Sequence, residues 1–307
     1  MFFSLLSSMK EVKKIIHSLQ PRSLYTSSEL QKIILPLTQK IITLHNPKKT
    51  IIIGIQGGQG TGKTTLVNLL SQILTNLNYK VKSFSIDNFY QTAKQRKQLA
   101  KINENNPFYQ IPRGMPGTHR IKELKQTLNN IKAGKPFQIP LFDKSLHQGY
   151  GDILKKTIKV NIKQDFILFD GWCVGIPTTS TKALQQICKK DKIPLKEIDP
   201  KLKYHKIVLS NIKQYQPIWK NLNYLIMLKP DSSTLHQQWR SQQELELIKK
   251  KHKGMSQAQV EHFVNIYLPF TYLCYEKIKP NLKILINKKH EMYKIKEKLN
   301  FITNSNR

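Results

Sequence analysis

The segment GGQGTGKT at residues 57–64 constrains the fold more than any other part of the sequence. It fits the phosphate-loop pattern, and it lies between the β-branched run KKTIIIGIQG and an apolar helical pattern at residues 63–77. Glycines allow backbone amides to turn onto phosphate oxygens, and the start of the helix adds positive potential at the same point. The sequence therefore predicts a nucleoside triphosphate site between a buried strand and a helix.

Within this loop, Lys63 should reach the β- and γ-phosphates, and Thr64 should offer its hydroxyl group to magnesium. The residues assigned to the nucleotide are Gly57, Gly58, Gln59, Gly60, Thr61, Gly62, Lys63, Thr64 and Thr65. A phosphate loop alone does not separate kinases from GTPases, helicases or ATP-driven switches. The residues that would bind the phosphoryl acceptor are needed to distinguish these classes.

The formal charge of +32 raises the possibility of a nucleic-acid partner. The lysines are scattered through the whole chain, however, and no nucleic-acid recognition motif accompanies them, so nucleic acid is an unlikely partner. The three cysteines have no metal-ligand or disulfide spacing, and we expect neither a secretory signal in MFFSLLSSMKEVKK nor a membrane span in the chain. We expect a cytoplasmic protein that does not associate with membranes.

Strand and helix patterns alternate along the chain after the phosphate loop. The runs YKVKSFSID, DFILFDGW, NLNYLIMLKP and NLKILIN bring the buried strands to five. Together with the helices between them, they predict an α/β P-loop NTPase fold, with a doubly wound parallel five-stranded sheet and helices on both faces.

The predicted domain organisation has a helical N-terminal extension at residues 1–48 and a phosphate-loop domain at residues 49–307. Inside that domain, periodicity fades at about residues 88–152, where one short helix is expected near 118–132. A loop-rich insertion of this length is more typical of a substrate-binding element than of a connection. Helices at about 232–279 form a predicted lid, and the polar segment 177–204 receives no role.

Two aspartates follow predicted strands at the edge that faces the nucleotide. Asp87 ends the second strand, where a carboxylate can take a proton from an attacking hydroxyl group, although an aspartate there can also simply cap the turn. Asp170 ends the third strand, in the position of the carboxylate that supports magnesium in phosphate-loop enzymes. We predict Asp87 as the catalytic base and Asp170, with Thr64, as the metal site.

Arginine is rare in this lysine-rich chain, so its positions are informative. The six arginines are Arg22, Arg96, Arg113, Arg120, Arg240 and Arg307. Arg113 and Arg120 lie in the aperiodic insertion, where a planar guanidinium group suits the recognition of a carboxylate or phosphate. Arg240 lies on a predicted helix after the fourth strand, where it can act on the transferring phosphoryl group or remain an ordinary surface residue.

These segments together resemble the D-glycerate 3-kinase family. The resemblance rests on GGQGTGKTTL, SIDNFY, NPFYQIPRGMPGTH, LFDKS with GYGD, ILFDGWCVG, and QWRSQQE with GMSQAQVEHFVNIYLPF, in the family's order, from about residue 50 to 290. The wider group is similar to the uridine kinase, phosphoribulokinase and pantothenate kinase superfamily.

The resemblance implies a kinase that uses ATP, magnesium and a small hydroxylated acceptor. It makes Asp87, Lys63 and Arg240 the catalytic residues. We predict that the acceptor binds at Asp87, Tyr90, Arg113, His119, Arg120, Asp143 and Lys144.

The sequence departs from the family pattern at three positions. Asn88 stands where a second aspartate is expected, Asp170 where a glutamate is expected, and Ile153 where an arginine is expected. These departures affect the predicted identity of the acceptor more than the prediction of ATP binding. The predicted reaction is phosphorylation of D-glycerate to 3-phosphoglycerate; the alternatives are a kinase for pantothenate, a nucleoside or another small alcohol, and a nucleic-acid-associated ATPase.

Overall fold

A six-stranded sheet forms the centre of the protein in the computed structural model, which describes residues 2–19, 23–232, 234–251 and 256–297. The strands are β1 (Ile51–Gly57), β2 (Val81–Ser85), β5 (Phe166–Gly171), β6 (Tyr224–Pro230), β7 (Leu282–Ile286) and β8 (Met292–Glu297). Their order is β2-β5-β1-β6-β7-β8, and all neighbours are parallel except β7 and β8.

The five predicted parallel strands are confirmed, and β8 is an additional antiparallel strand at one edge. Its sequence MYKIKE buries only its first residue, Met292, because the strand has a neighbour on one side alone. Lysine-rich edge strands lack the continuous apolar run by which the five inner strands are recognised.

Helices cover both faces of the sheet, as predicted. They are α1 (Phe2–Leu19), α2 (Ser27–Glu29), α3 (Leu35–Thr43), α4 (Lys63–Asn76), α5 (Ala93–Ile102), α6 (Pro107–Gln110), α7 (Ile121–Lys132), α8 (Thr181–Lys190), α9 (Leu195–Ile198), α10 (Lys203–Ile212), α11 (Gln216–Trp219), α12 (Thr234–Lys251) and α13 (Gln257–Lys277). Two hydrophobic cores result. One lies beneath α4 and the N-terminal helices, and the other lies beneath α13 and the helices of the insertion.

The N-terminal extension is helical, as expected, and it packs on the core of the sheet. A π-helical segment, Leu30–Ile34, joins α2 to α3 without a break. Glu29 is the anchor: its side chain completes a capping box with Thr26 and also accepts a hydrogen bond from the backbone of Met292 at 2.9 Å. This carboxylate ties the extension to the edge strand β8.

The insertion at 88–152 contains more regular structure than its aperiodic sequence suggested. In addition to the expected helix α7, it holds α5, α6 and the strand β3 (Phe137–Asp143). This strand forms a two-stranded antiparallel hairpin with β4 (Asp152–Val160), which begins where the insertion ends. The hairpin was missed because β4 is exposed along most of its length and Pro140 interrupts β3.

The segment 177–204 also gains a structural explanation. It contains α8 and α9, and Asp199 at its end accepts hydrogen bonds from the first backbone amides of α10, those of Tyr204 and His205, both at 2.8 Å. The buried Asp199 carboxylate also contacts Nδ1 of His205 at 2.8 Å. This pair fixes the start of α10, which packs beside the insertion.

Neither a membrane span nor a protein-only metal cluster is found in the described parts of the chain. No helix among residues 2–19, 23–232, 234–251 and 256–297 is long and apolar enough to cross a bilayer. Within the same residues, no three His, Cys, Asp or Glu side chains converge as metal ligands would. The cysteines that lacked metal-ligand spacing, Cys173, Cys188 and Cys274, are all buried free thiols.

Candidate active site

Three neighbouring parallel strands carry the predicted chemical groups to one edge of the sheet. In the register of the sheet, Ser85 of β2 lies beside Asp170 of β5, which lies beside Ile55 of β1. The phosphate loop follows β1, and the segment with Asp87 follows β2. The carboxyl ends of adjacent parallel strands are where α/β sheets place their ligands, so the phosphate loop and both predicted carboxylates share one site.

The phosphate loop has the conformation that its glycines permit. Gly60 and Gly62 have φ angles of 76° and 81°, in the left-handed region that other residues rarely occupy. The Thr61 hydroxyl group donates to the Gly58 carbonyl at 2.9 Å, and the Lys63 ammonium group donates to the same oxygen at 2.8 Å. The lysine therefore lies across the loop, at the N-terminus of α4.

The C-terminal half of the protein holds this loop from the opposite side. The Gly58 amide donates to the Tyr275 hydroxyl group at 2.9 Å, and that hydroxyl lies 3.3 Å from Nε2 of His236. Nδ1 of His236 is 3.0 Å from the Gln59 carbonyl. Burial lowers the pKa of His236 to about 4, so the ring is neutral and carries its proton on Nδ1.

These contacts link the loop to helices α12 and α13, which carry His236 and Tyr275. A side chain at Gly58 would meet the His236 ring at 2.2 Å, so glycine is required there for the close approach. His290, on the turn between β7 and β8, adds a third contact, from Nε2 to the Gly60 carbonyl at 2.6 Å. Sequence reasoning missed all three residues because each is more than 170 positions from its partner.

Asp87 occupies a short 3-10 segment, Ile86–Phe89, directly after β2. Ser85 and Asn88 cap that segment through a reciprocal capping box, so the alternative role of Asp87 as the cap falls to its neighbours. The Asp87 carboxylate instead faces Lys144, whose Nζ is 2.7 Å from Oδ2. Burial alone would raise the pKa of Asp87, but Lys144 and a hydrogen bond from Tyr90 hold it below its usual range.

Asp170 is buried at the end of β5, and its pKa is raised, chiefly by burial. Its Oδ1 atom has no hydrogen-bond partner among the described residues. A buried carboxylate oxygen without a hydrogen-bond partner is costly, and such an oxygen is a suitable ligand for a magnesium ion. Thr64 is exposed in the first turn of α4. The donor set therefore fits magnesium bound by Thr64 and Asp170.

Lys63 links the two carboxylates electrostatically. Burial lowers the pKa of its ammonium group, while the negative charges of Asp170 and Asp87 act in the opposite direction. The interaction is reciprocal for Asp170, since Lys63 lowers the pKa that burial raises. The three groups are therefore close enough to influence one another's charge, although they belong to three different strand ends.

His119 and Tyr90 form a stacked pair beside Asp87. Their rings are 4.5 Å apart and nearly parallel, and the His119 imidazole has its pKa lowered to about 4, mainly by burial. The Tyr215 hydroxyl group accepts a hydrogen bond from the Gly117 amide at 3.0 Å and also lies 2.7 Å from Nδ1 of His119. Nε2 of the same ring has no partner in the described part of the chain.

The arginines of the insertion bind backbone carbonyls. Arg113 donates through Nη1 to the carbonyls of Gly149 and Tyr150, at 2.6 and 3.2 Å. Arg120 donates to the carbonyls of Tyr90, at 3.0 Å, and Asn88, at 3.3 Å, and forms an ion pair with Glu123. Arg120 therefore contacts the segment that carries Asp87, and Arg113 contacts the turn before β4.

Two further predicted residues lie at the margins of the site. The Asp143 carboxylate accepts hydrogen bonds from the backbone and the hydroxyl group of Ser145. Arg240, on α12, forms an ion pair with Glu244 one turn later, and its guanidinium carbon lies 5.2 Å from the centre of the Phe263 ring of α13. Arg240 thus lies at the contact between the two predicted lid helices.

Arg96 is the main residue of this region that sequence reasoning did not select. It is fully buried, and its guanidinium group donates to the carbonyls of Pro112, Tyr150 and Gly151 at 2.6–2.9 Å, and also to that of Gln91. The rarity of arginine drew attention to Arg113 and Arg120 and applied equally to Arg96. Arg96 lies on α5, a helix that the sequence did not predict.

Comparisons with known proteins agree on the family to which this chain is similar. The model described as "Phosphoribulokinase / Uridine kinase family" matches residues 52–171. The chain is 36% identical over 226 residues to the kinase mug58 of Schizosaccharomyces pombe, covering 72% of this chain and 79% of that protein.

Two D-glycerate 3-kinases are also similar to this chain. The chloroplastic enzyme of Arabidopsis thaliana is 30% identical over 242 residues, which cover 74% of this chain but only 50% of the plant protein. The solved structure of D-glycerate 3-kinase from Cryptococcus neoformans has a TM-score of 0.74 and 26% identity, covering 86% of this chain and 96% of that chain. The predicted resemblance is confirmed, and so is the P-loop kinase fold.

Proposed function

The chain belongs to the phosphoribulokinase and uridine kinase family of P-loop kinases, and we propose that it transfers the γ-phosphoryl group of ATP to D-glycerate, giving 3-phosphoglycerate. The observation that carries this proposal is the meeting of Lys63, Asp87 and Asp170 at three adjacent strand ends. A phosphate-binding lysine, a base and a metal carboxylate are the parts that phosphoryl transfer to a hydroxyl group requires.

The nucleotide would bind with its phosphates along residues 57–65. Lys63 would leave the Gly58 carbonyl for the β- and γ-phosphates, which are stronger acceptors than a neutral carbonyl oxygen. Thr64 and Asp170 would hold magnesium, which neutralises phosphate charge when it is bound. The contacts from His236 and Tyr275 keep the loop in its phosphate-binding shape, so less ordering is needed when ATP arrives.

The transfer step assigns one role to Asp87. Its carboxylate takes the proton of the acceptor hydroxyl group as that oxygen attacks the γ-phosphorus. The new oxygen–phosphorus bond forms while the bond between the γ-phosphorus and the bridging oxygen breaks, and ADP leaves with the electron pair. Arg240, as the lid arginine, would approach the transferring group.

D-glycerate as the acceptor is supported by the similar D-glycerate 3-kinases and by the basic side chains near Asp87. Arg113 and Lys144 suit a carboxylate, and Nε2 of His119 has no partner among the described residues and so can bind a polar group of the acceptor. Arg120 would contribute indirectly, by fixing the carbonyls on either side of Phe89 and thereby the segment that carries Asp87.

Asn88, where the family pattern has a second aspartate, is accounted for by its hydrogen bonds. Its side chain accepts from the Ser85 amide and donates to the Pro140 carbonyl, both at 2.8–2.9 Å. The residue therefore holds the Asp87 segment against the hairpin, and its neutrality leaves Asp87 as the base.

A direct test incubates the purified protein with radiolabelled ATP, magnesium and single acceptors. The panel holds D-glycerate, other hydroxy acids, pantothenate and nucleosides, and a parallel series replaces the acceptor with RNA or DNA. We expect labelled 3-phosphoglycerate as the major product. Labelling of another acceptor but not of glycerate would overturn the acceptor assignment. ATP turnover stimulated by nucleic acid alone would overturn the kinase assignment.

A further inference from the structure

Lys144 differs from the other basic residues around Asp87 in what it contacts. Arg113 and Arg120 bind backbone carbonyls, and Lys63 binds the Gly58 carbonyl. Lys144 instead places its ammonium group 2.7 Å from Oδ2 of the Asp87 carboxylate, the predicted base, while its side chain is 59% exposed. The cation nearest to the base is therefore also the one that solvent and ligands can reach.

This ion pair conflicts with the role of Asp87 in phosphoryl transfer. The base must present an oxygen to the acceptor hydroxyl group at hydrogen-bonding distance, and Lys144 already occupies Oδ2 while Tyr90 donates to the same carboxylate. A carboxylate neutralised by an adjacent ammonium group is also a weaker proton acceptor. The carboxylate becomes a stronger proton acceptor when the ammonium group moves away from Asp87 or is shared with another anion.

The local structure allows the Lys144 side chain to move without a movement of the backbone. Lys144 directly follows β3, and the turn after it is held by arginines: Arg113 binds Gly149 and Tyr150, and Arg96 binds Tyr150 and Gly151. The turn is thus fixed at its far end, while a flexible four-carbon stem carries the Lys144 charge.

We propose that Lys144 is an exchangeable counter-ion that makes the base available only to acidic acceptors. The carboxylate of an entering hydroxy acid takes the Lys144 ammonium group from Asp87, and the freed Asp87 oxygen receives the hydroxyl group of the same molecule. This inference rests on the proposed kinase function. It adds that the negative charge of the acceptor, as well as its hydroxyl group, is required for turnover.

The γ-phosphate of ATP is also an anion near the base, and it could take the Lys144 ammonium group from Asp87 in the same way. The two sources differ in a way that can be tested. If the acceptor carboxylate releases Lys144, Asp87 remains paired with Lys144 when ATP and a neutral acceptor are bound. If the nucleotide releases Lys144, neutral and acidic acceptors meet the same free base.

The first experiment compares D-glycerate with D-glyceramide, which has the same hydroxyl groups but no charge. The proteins are wild type, Lys144→Met, Lys144→Arg and the control Lys155→Met, which alters an exposed lysine on β4. We expect wild type, Lys155→Met and Lys144→Arg to prefer glycerate. In Lys144→Met, the ratio of the two kcat/KM values should fall by about 10- to 100-fold, as for the loss of a charged hydrogen bond. An unchanged ratio would overturn the proposal.

The second experiment does not depend on the identity of the acceptor, because it follows the slow hydrolysis of ATP by water. Lys144→Met should hydrolyse ATP faster than wild type and Lys155→Met, since its base is always free. Propionate, a carboxylate without a hydroxyl group, should stimulate hydrolysis by wild type and leave Lys144→Met unchanged.

The outcomes separate this proposal from the proposed function. If wild type does not phosphorylate glycerate, the acceptor assignment fails, but faster hydrolysis by Lys144→Met together with stimulation of wild type by propionate would still support the exchange. Equal hydrolysis by wild type and Lys144→Met would show that Lys144 does not restrain the base, whatever the acceptor is.

Discussion

Replacing Asp87 with asparagine tests the central assignment, because the change removes the proton acceptor and little else. The amide keeps the shape of the side chain and one oxygen for the Tyr90 hydroxyl group. The turn itself is held by Ser85 and Asn88. The ion pair lost with Lys144 is partly exposed, with side-chain exposures of 59% and 29%, and such pairs contribute between 0 and about 1 kcal/mol.

The expected effects on stability and on catalysis therefore differ greatly. A loss of up to about 1 kcal/mol lowers the Tm by roughly 2–4 °C in a domain of 150–250 residues, and by no more in this longer chain. Removing a general base lowers kcat by about 100- to 10,000-fold, which corresponds to about 2.7–5.5 kcal/mol in the activation barrier. ATP affinity should hardly change, because the predicted phosphate contacts lie in residues 57–65.

The assay combines steady-state kinetics, an ATP-binding titration and a thermal unfolding curve. The matched control is Asp231→Asn, which neutralises an exposed carboxylate directly after β6 at the same edge of the sheet. The control should keep normal kcat. A near-normal kcat in Asp87→Asn would refute the assignment of the base, and the search would then move to Asp143 or Asp170.

Three other substitutions test separate parts of the site. Lys63→Ala should abolish turnover while the unfolding curve changes little, and retained activity would contradict the phosphate-loop assignment. Asn88→Asp should destabilise the protein by about 1–3 kcal/mol in a thermal unfolding assay, because the Pro140 carbonyl would lose its amide donor and face a negatively charged oxygen. A stability equal to wild type would show that Asn88 does not hold the Asp87 segment against the hairpin. Tyr275→Phe removes two hydrogen bonds worth about 0.5–1.5 kcal/mol each and should raise the KM for ATP. Tyr204→Phe is the control. An unchanged KM would show that Tyr275 does not position the phosphate loop.

The parts of the fold that were predictable are those with a local physical cause. A buried parallel strand needs a continuous apolar run, and a phosphate loop needs glycines before a helix, so the strands β1 and β5 and the helix α4 are readable in the sequence. The hairpin β3–β4 and the edge strand β8 lack such a signal, because one side of each is exposed to solvent. Polar residues suit an exposed strand and an exposed loop equally well, so the sequence does not distinguish the two.

The predictability of the candidate site follows the same division. Asp87 and Asp170 were identified because each ends a readable strand, and the sheet brings the two ends together. His236, Tyr275 and His290 act on the phosphate loop from helices and a turn that are distant in sequence, and no local pattern connects them to it. Only the folded chain reveals that the loop and the predicted lid helix α12 are joined by hydrogen bonds.

The arginines of the insertion have contacts that the sequence alone did not suggest. Rarity in a lysine-rich chain marked Arg113 and Arg120 as ligands for an acidic substrate, yet both bind main-chain carbonyls, as does the buried Arg96. An aperiodic insertion leaves many carbonyls without partners from regular structure, and the five donors of one guanidinium group can satisfy several of them at once. Lysine, with a single mobile charge, cannot replace arginine in that task. The arginines thus stiffen the acceptor region through main-chain contacts, whereas the exposed Lys144 has the base itself as its present partner.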